Sequence, residues 1–354
     1  MNGTKNIKFN GVDRLYDAYS WRLTRRAKKV WRSGKVLLGE QIRELEKKFC
    51  KKYSRKHAVA VGSATDGLYF AMKGHGLAKN SSVVCPALSY VATYGAIKRL
   101  GASVQFIDTE DDGNIGNIGI QAIPNAILYV NLYGNPARVD LLQKYCQEHK
   151  IPLIEDAAQS MGAYFNKIPS GRLGDTSVFS FDPQKNLPCF GSGGMVLTDD
   201  DNVYNTIISL RRHGLQGKFV NYGYNSVIPE DHCAQLIFLL DKFESLQKQR
   251  TKIRSYYKKF LPGYKFIEPM KNCVSSNHKL IILTDKRDQL RKYLADRGIE
   301  TKIHYNYILP KNSLLPYTNA QYICDNNLSL PIYPFLEKSE VKFVCDNIKE
   351  FYGV

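Results

Sequence analysis

Short apolar runs alternate with amphipathic segments from His57 to Leu210, and this alternation limits the chain to few folds. His57–Val61 (HAVAV) reads as a strand, and a helix begins at Thr65. Ser82–Cys85 is a strand ended by Pro86, Tyr90–Leu100 a helix, and Ser103–Ile107 and Ala126–Val130 two further strands. Arg138–His149 has helical spacing behind Pro136, Pro152–Glu155 is a short buried strand, and Thr176–Phe181 and Met195–Thr198 precede a helix through Leu210. Strands alternating with helices predict an α/β fold with a mostly parallel sheet and helices on both faces. The pattern changes near Pro229. Glu230–Phe260 reads as one long helix or two joined ones, followed by a β-like run at Lys279–Leu283 and a helix over Arg287–Arg297. The expected division is a large unit over 1–235 and a smaller α+β unit over 236–354.

The 354 residues carry 50 Lys plus Arg against 33 Asp plus Glu, a formal charge of +17. Such an excess favours anionic partners: nucleic acid, phosphorylated metabolites or an anionic membrane surface. The densest basic runs, Arg22–Arg32, Lys47–Lys56 and Lys242–Lys259, have apolar residues interleaved at helical spacing, as in Ile42, Leu45 and Phe49. They read as solvated helix faces, and no nucleic-acid module accompanies them. No run approaches the ~20 apolar residues of a membrane span, and no secretory leader is expected in Met1–Asn10. The eight cysteines form no C-x-x-C pair and no His completes a zinc pattern, so reduced thiols, no metal site and a cytoplasmic setting are expected. Cys189 reads as a small space-filling residue.

In open α/β sheets, ligands sit at the carboxyl ends of the strands. Four such ends carry chemistry. Gly62-Ser63-Ala64-Thr65-Asp66-Gly67 joins a strand to a helix through small residues; it is either a phosphate cradle or an ordinary N-cap by Ser63 or Thr65. The Walker pattern is absent, which counts against an NTPase. Gly191-Ser192-Gly193-Gly194 precedes a strand, not a helix, so a dinucleotide fingerprint lacks its context and a tight β connection is expected. Asp156 ends a buried strand, where a carboxylate needs a partner. That partner is either a structural cation or a protonated ring nitrogen such as that of pyridoxal phosphate. Lys185 follows the strand Thr176–Phe181 by a few residues. It is either a surface lysine or an amine activated to form a Schiff base.

The run EDAAQSMGAYFNKIPSGRLGDTSVFSFDPQKNLPCFGSGGMVLTDD resembles the signature of the DegT/DnrJ/EryC1/StrS family of pyridoxal-phosphate-dependent sugar aminotransferases. SGKVLLGEQIRELEKKF, VGSATDGLYFAM, CPALSYVATYGAI, LRRHG, GYNSVIPEDHCAQL and LSLPIYP resemble further family blocks in the same order, so the resemblance spans nearly the whole chain. It implies an aspartate-aminotransferase-like large unit (fold type I) with a mostly parallel seven-stranded sheet, plus a smaller C-terminal α+β unit. It further implies that Lys185 holds pyridoxal phosphate, Asp156 faces the pyridine nitrogen and Gln159 lies near the phenolic oxygen. Tyr90 would stack on the ring, and Ala64, Thr65 and Ser180 would contact the phosphate. Asn225 would reach the cofactor phosphate of a neighbouring subunit, which implies a homodimer with shared active sites. Three departures stand out: Ala64 replaces the usual Gly, Asn131 the usual His, and Ser226-Val227 the usual Tyr-Arg. The last two put sugar contacts in doubt.

The activity implied is transfer of an amino group from L-glutamate to a UDP- or dTDP-linked keto-sugar, through pyridoxamine phosphate. The expected position is C4 of a 4-keto-6-deoxyglucose, giving the viosamine-type 4-amino-4,6-dideoxyglucose; amination at C3 of a 3-keto-6-deoxyhexose is the alternative. His304-Tyr305 either touches the sugar nucleotide or is a packed aromatic pair. A non-enzymatic regulator on the same fold is a remote third reading. Neither a nucleic-acid nor a membrane partner is expected.

Overall fold

The apolar runs of the first two hundred residues pair into one seven-stranded sheet in the computed structural model, which describes residues 6–116, 119–216, 218–219, 221–311 and 315–354. The strands are β1 (His57–Val61), β2 (Ser82–Pro86), β3 (Ser103–Ile107), β4 (Ala126–Val130), β5 (Leu153–Asp156), β6 (Thr176–Ser180) and β7 (Gly194–Thr198). Their spatial order is β1-β7-β6-β5-β4-β2-β3. Strand β7 runs antiparallel to β1 and β6, and all other neighbours are parallel. Strands β4 and β7 are buried along their whole length, as expected for a sheet covered on both faces.

The two faces separate by side-chain alternation. Ala58 and Ala60 of β1 point into one core, Val59 and Val61 into the other. The first core is closed by α1 (Val12–Ser33), α2 (Glu40–Tyr53) and the N-terminal half of a long helix; α2 buries Ile42, Leu45, Phe49 and Tyr53. The second lies under α3 (Ala64–Gly74), α4 (Val91–Leu100) and, after α5 (Asp140–His149), α6 (Asp201–Leu210).

Glu230–Phe260 is one unbroken helix, α7. Leu236, Phe243 and Leu246 sit in the core against the sheet, whereas Ile253 and Tyr257 sit in a separate C-terminal core. The position expected for the division, 235/236, thus lies inside α7. The C-terminal core is built on an antiparallel pair, β8 (Leu280–Leu283) and β9 (Asn327–Leu330), with α8 (Arg287–Ala295) and α10 (Lys338–Tyr352) packed on it; α9 (Thr318–Asn326) leads into β9. Ile7 joins this core and bridges Ile299, so the N-terminal segment is tied to the C-terminal layer. No helix among the described residues is long and apolar enough to cross a membrane. All eight cysteines are free, and burial pushes the Cys189 thiol up to about 12, in keeping with a space-filling role.

Candidate active site

The carboxyl ends of β1, β2, β5 and β6 open on one cavity of about 440 Å³, closed from the other side by His278 and Lys279, just ahead of β8, and by residues 302–305. Ala64, Thr65, Tyr90, Asp156, Gln159, Ser180, Lys185, His304 and Tyr305 all line it.

At the end of β1, Ser63 caps α3: its Oγ accepts from the Asp66 amide at 3.1 Å. The cap satisfies one orphan amide of the helix start. The amides of Ala64 and Thr65 are left without a protein acceptor among the described residues and face the cavity. The N-cap thus leaves two free amides in the same turn, a geometry that suits an anion. Gly62 donates to the backbone oxygen of Ser226 at 2.9 Å and to its Oγ at 3.0 Å, and that Oγ donates to Asp66 at 2.7 Å. Gly194 lets β7 pass beneath this turn, because a Cβ there would lie 2.8 Å from the Ala64 nitrogen.

Asp156, at the end of β5, is 4% exposed. Its Oδ2 accepts from Thr93 Oγ1 at 2.9 Å and its Oδ1 from the Ala158 amide at 3.1 Å. Burial raises its pKa, opposed by the Thr93 and Ala158 hydrogen bonds and by the charge of Lys185. Two donors leave a buried carboxylate under-compensated, and it would be stabilised by a cation in the cavity.

Lys185 sits in a turn set by Asp182-Pro183. The Asp182 side chain accepts from the Gln184 amide at 2.9 Å, and the Lys185 amide donates to the Asp182 carbonyl at 2.9 Å. Asp followed by Pro favours such a turn. The Lys185 amine has no hydrogen-bond or ion-pair partner among the described residues, and burial lowers its pKa against the pull of Asp182 and Asp156. It is half-buried, not the surface lysine allowed by the sequence. The Gly191–Gly194 run is not a tight connection between paired strands: it closes the excursion between β6 and β7 that carries Lys185, and Ser192 and Gly193 line the cavity.

Gln159 joins the two halves of the wall. Its Oε1 accepts from the Tyr133 amide at 3.0 Å, and its Nε2 donates to the Tyr305 hydroxyl at 3.1 Å. The Tyr90 and Tyr305 rings lie 5.7 Å apart. Ser180 Oγ accepts from the Asp182 amide at 3.3 Å. His304 Nδ1 is 2.7 Å from Ser329 Oγ, and its pKa is pushed down to about 2 by burial and by Lys279, Lys302 and Lys185.

Asn225 is not brought to this cavity. It is exposed and bridges Arg212. Asn131, directly after the interior strand β4, is fully buried and donates to Glu155, Ser160 and Ser170, while Ser226 braces the turn after β1. Neither lines the cavity. Thr93, His278, Lys279 and Lys302 escaped the sequence reading. Thr93 lies one helical turn beyond Tyr90, which could have revealed it; the other three are distant in sequence and carry no local motif.

A model of the DegT/DnrJ/EryC1/StrS aminotransferase family matches residues 20–349. The chain is 30% identical to the dTDP-3-amino-3,4,6-trideoxy-alpha-D-glucose transaminase of Streptomyces venezuelae over 98% of this chain and 97% of that protein. It is 29% identical to a pleiotropic regulatory protein of Geobacillus stearothermophilus over 98% and 99%. Its fold superposes on the crystal structure of S. venezuelae DesV in complex with a ketimine intermediate with a TM-score of 0.93, at 30% identity, covering 98% of this chain and 99% of that one.

Proposed function

Because this chain belongs to the DegT/DnrJ/EryC1/StrS aminotransferase family, we propose that it moves an amino group from L-glutamate to a keto carbon of a nucleotide-linked deoxysugar. It is a transaminase with pyridoxal 5′-phosphate as cofactor and pyridoxamine phosphate as the alternate form. The observation that carries the reading is the unpartnered Lys185 amine sharing a cavity with the buried, under-compensated Asp156 carboxylate and the free amides at the start of α3.

The residues fit the cofactor. Ala64, Thr65 and Ser180 would hold its phosphate, Asp156 its ring nitrogen, Gln159 the side of its phenolic oxygen, Tyr90 a ring face, and Lys185 its aldehyde carbon. When bound, the cofactor supplies an electron sink that accepts the charge left when a C–H proton is removed. Asp156 Oδ keeps a proton on the ring nitrogen, and Thr93 holds that oxygen in place. Lys185 Nζ, its pKa lowered by burial, takes the proton released from the donor's α-carbon and places one on the sugar carbon in the reverse half.

The S. venezuelae relative is named for a 3-amino sugar. This favours amination at C3; C4, the position expected from the sequence, is the second reading. A purely regulatory role is disfavoured by the intact Lys185–Asp156 pair. We further propose a homodimer in which Asn225 serves the partner's cavity. It is supported by the exposure of Asn225 and of Phe219 and Tyr222 in the same loop, and by exposed Trp21 and Trp31 on α1. Supplying L-glutamate with UDP- and dTDP-linked 3-keto- and 4-keto-6-deoxysugars, then locating the new C–N bond by NMR, tests the reading. No amination of any of them would refute it.

A further inference from the structure

Beyond the Lys185–Asp156 pair, the site holds buried cationic side chains with no ion-paired acid among the described residues; Asp182, which also lines the cavity, is exposed and pulls on Lys279 only through space. Arg250 of α7 is 6% exposed. Its Nη1 donates to the Ile332 carbonyl at 2.8 Å, and its Nε has no partner. Lys279 is 9% exposed, and its amine has no hydrogen bond or ion pair among the described residues. That amine lies over the face of Phe9, 4.8 Å from the ring centroid. The Lys302 amine lies over the same ring at 5.2 Å. Phe9 is fixed there by the N-terminal segment: its amide donates to Glu300 at 2.9 Å, and Ile7 exchanges backbone hydrogen bonds with Gly298 and Glu300. A ring quadrupole attracts a cation but neutralises no charge. The adjacent His278 and His304 are kept neutral by burial and by these same cations.

Arg250 and Lys279 meet Lys185, Gln184 and Asn186 around a narrow side pocket of about 30 Å³. It adjoins the main cavity through Lys185, His278 and Lys279, and Lys302 faces the same region from the main cavity. Buried cations without partners are costly, and an anion offsets that cost. A guanidinium edge beside an ammonium matches a planar two-oxygen group. A void this size takes about one small polar group, and the amides at the start of α3 already offer a place for phosphate.

We propose that Arg250, Lys279 and Lys302 form a subsite for a substrate carboxylate on the β8 side of Lys185. The proposal rests on the aminotransferase reading, under which the carboxylate has two sources: the amino donor or an acidic sugar. Calorimetric titration of the holoprotein with glutarate, UDP-glucuronate and UDP-glucose separates them. Wild-type protein is expected to bind glutarate, UDP-glucuronate or both. Lys279→Met should weaken that binding ~10- to 100-fold, the loss of a charge-assisted hydrogen bond, and leave UDP-glucose within about twofold. The ligand that loses affinity identifies the source. Lys279→Met should also raise the melting temperature, because it removes a buried amine that has no hydrogen-bond partner among the described residues; a merely structural lysine would lower it. Lys302→Met, at a more exposed position, gives the same readout if Lys279→Met does not fold.

Unchanged carboxylate binding in both variants, an equal loss for UDP-glucose, or no carboxylate binding by wild type overturns the proposal. Glutarate binding through Lys279 in a protein that transaminates nothing would sink the enzymatic reading and leave the subsite standing. Transamination with carboxylate affinity insensitive to Lys279 would do the reverse.

Discussion

Thr93 Oγ1 donates a 2.9 Å hydrogen bond to Asp156 Oδ2, linking the first turn of α4 to the end of β5 at the floor of the cavity. Thr93 is itself 2.9 Å from Ser89 Oγ, so its hydroxyl is held at both ends. Thr93→Val keeps the shape and removes the donor, leaving a buried carboxylate oxygen unsatisfied. A hydrogen bond to a charged group is worth ~1.5–3 kcal/mol. The variant should lose ~10- to 100-fold in kcat/KM and bind cofactor more weakly. Wild-type kinetics in Thr93→Val would show that the hydroxyl does not hold Asp156 for catalysis.

Lys185→Ala should abolish turnover while the fold persists, since the amine makes no hydrogen bond or ion pair that the structure would lose. The pH dependence carries a sign. Burial lowers the Lys185 pKa and Asp182 raises it. The basic form therefore accumulates at lower pH than in an ordinary lysine, near 10.4. Asp182→Asn keeps an acceptor for the Gln184 amide and removes the charge. Its kcat–pH profile should rise at lower pH than that of the wild type; a shift to higher pH would contradict the assigned base.

The sheet was legible because strands buried on both faces are largely apolar, and β4 and β7 show this in AILYV and MVLT. Asp156 was legible because it ends a strand, and Lys185 because it follows one by a few residues, each in a position where its charge has no packing role. The reversed direction of β7 was not, since an apolar run carries no sign of its polarity. Asn131 and Ser226 were legible only as departures. Their partners, Glu155 and Gly62, are reached through the fold, so their structural roles had no local signature. The cationic side chains of Arg250, Lys279 and Lys302 come from three separate segments, and only packing shows that none of them is ion-paired among the described residues.

His278 and His304 are kept neutral in the folded protein, His304 with its pKa pushed down to about 2 by burial and by Lys279, Lys302 and Lys185. The unfolded chain takes up these protons near pH 6.5. Between about 6.5 and the folded value it binds more protons than the native state, so stability falls as the pH drops through that window. His304→Gln removes one such proton. Denaturant unfolding between pH 7 and 4.5 should show a mean slope shallower by about 1 kcal/mol per pH unit. An unchanged slope would mean that His304 is already protonated in the fold.

Asn225 lies away from the cavity of its own chain, so shared active sites predict complementation. Lys185→Ala and Asn225→Ala chains should each be impaired alone. Randomly mixed, half the dimers pair one chain of each kind, and one of their two sites regains both residues. About one quarter of wild-type activity should return. No recovery, after exchange is shown by a tag on one chain, would place Asn225 outside the partner's site.

The central claim is that Lys185 is the residue joined to the cofactor. Borohydride reduction of the holoprotein followed by peptide mapping tests it directly. The pyridoxyl group is predicted on the peptide containing Lys185 and on no other; a label on another lysine, or none at all, contradicts the account.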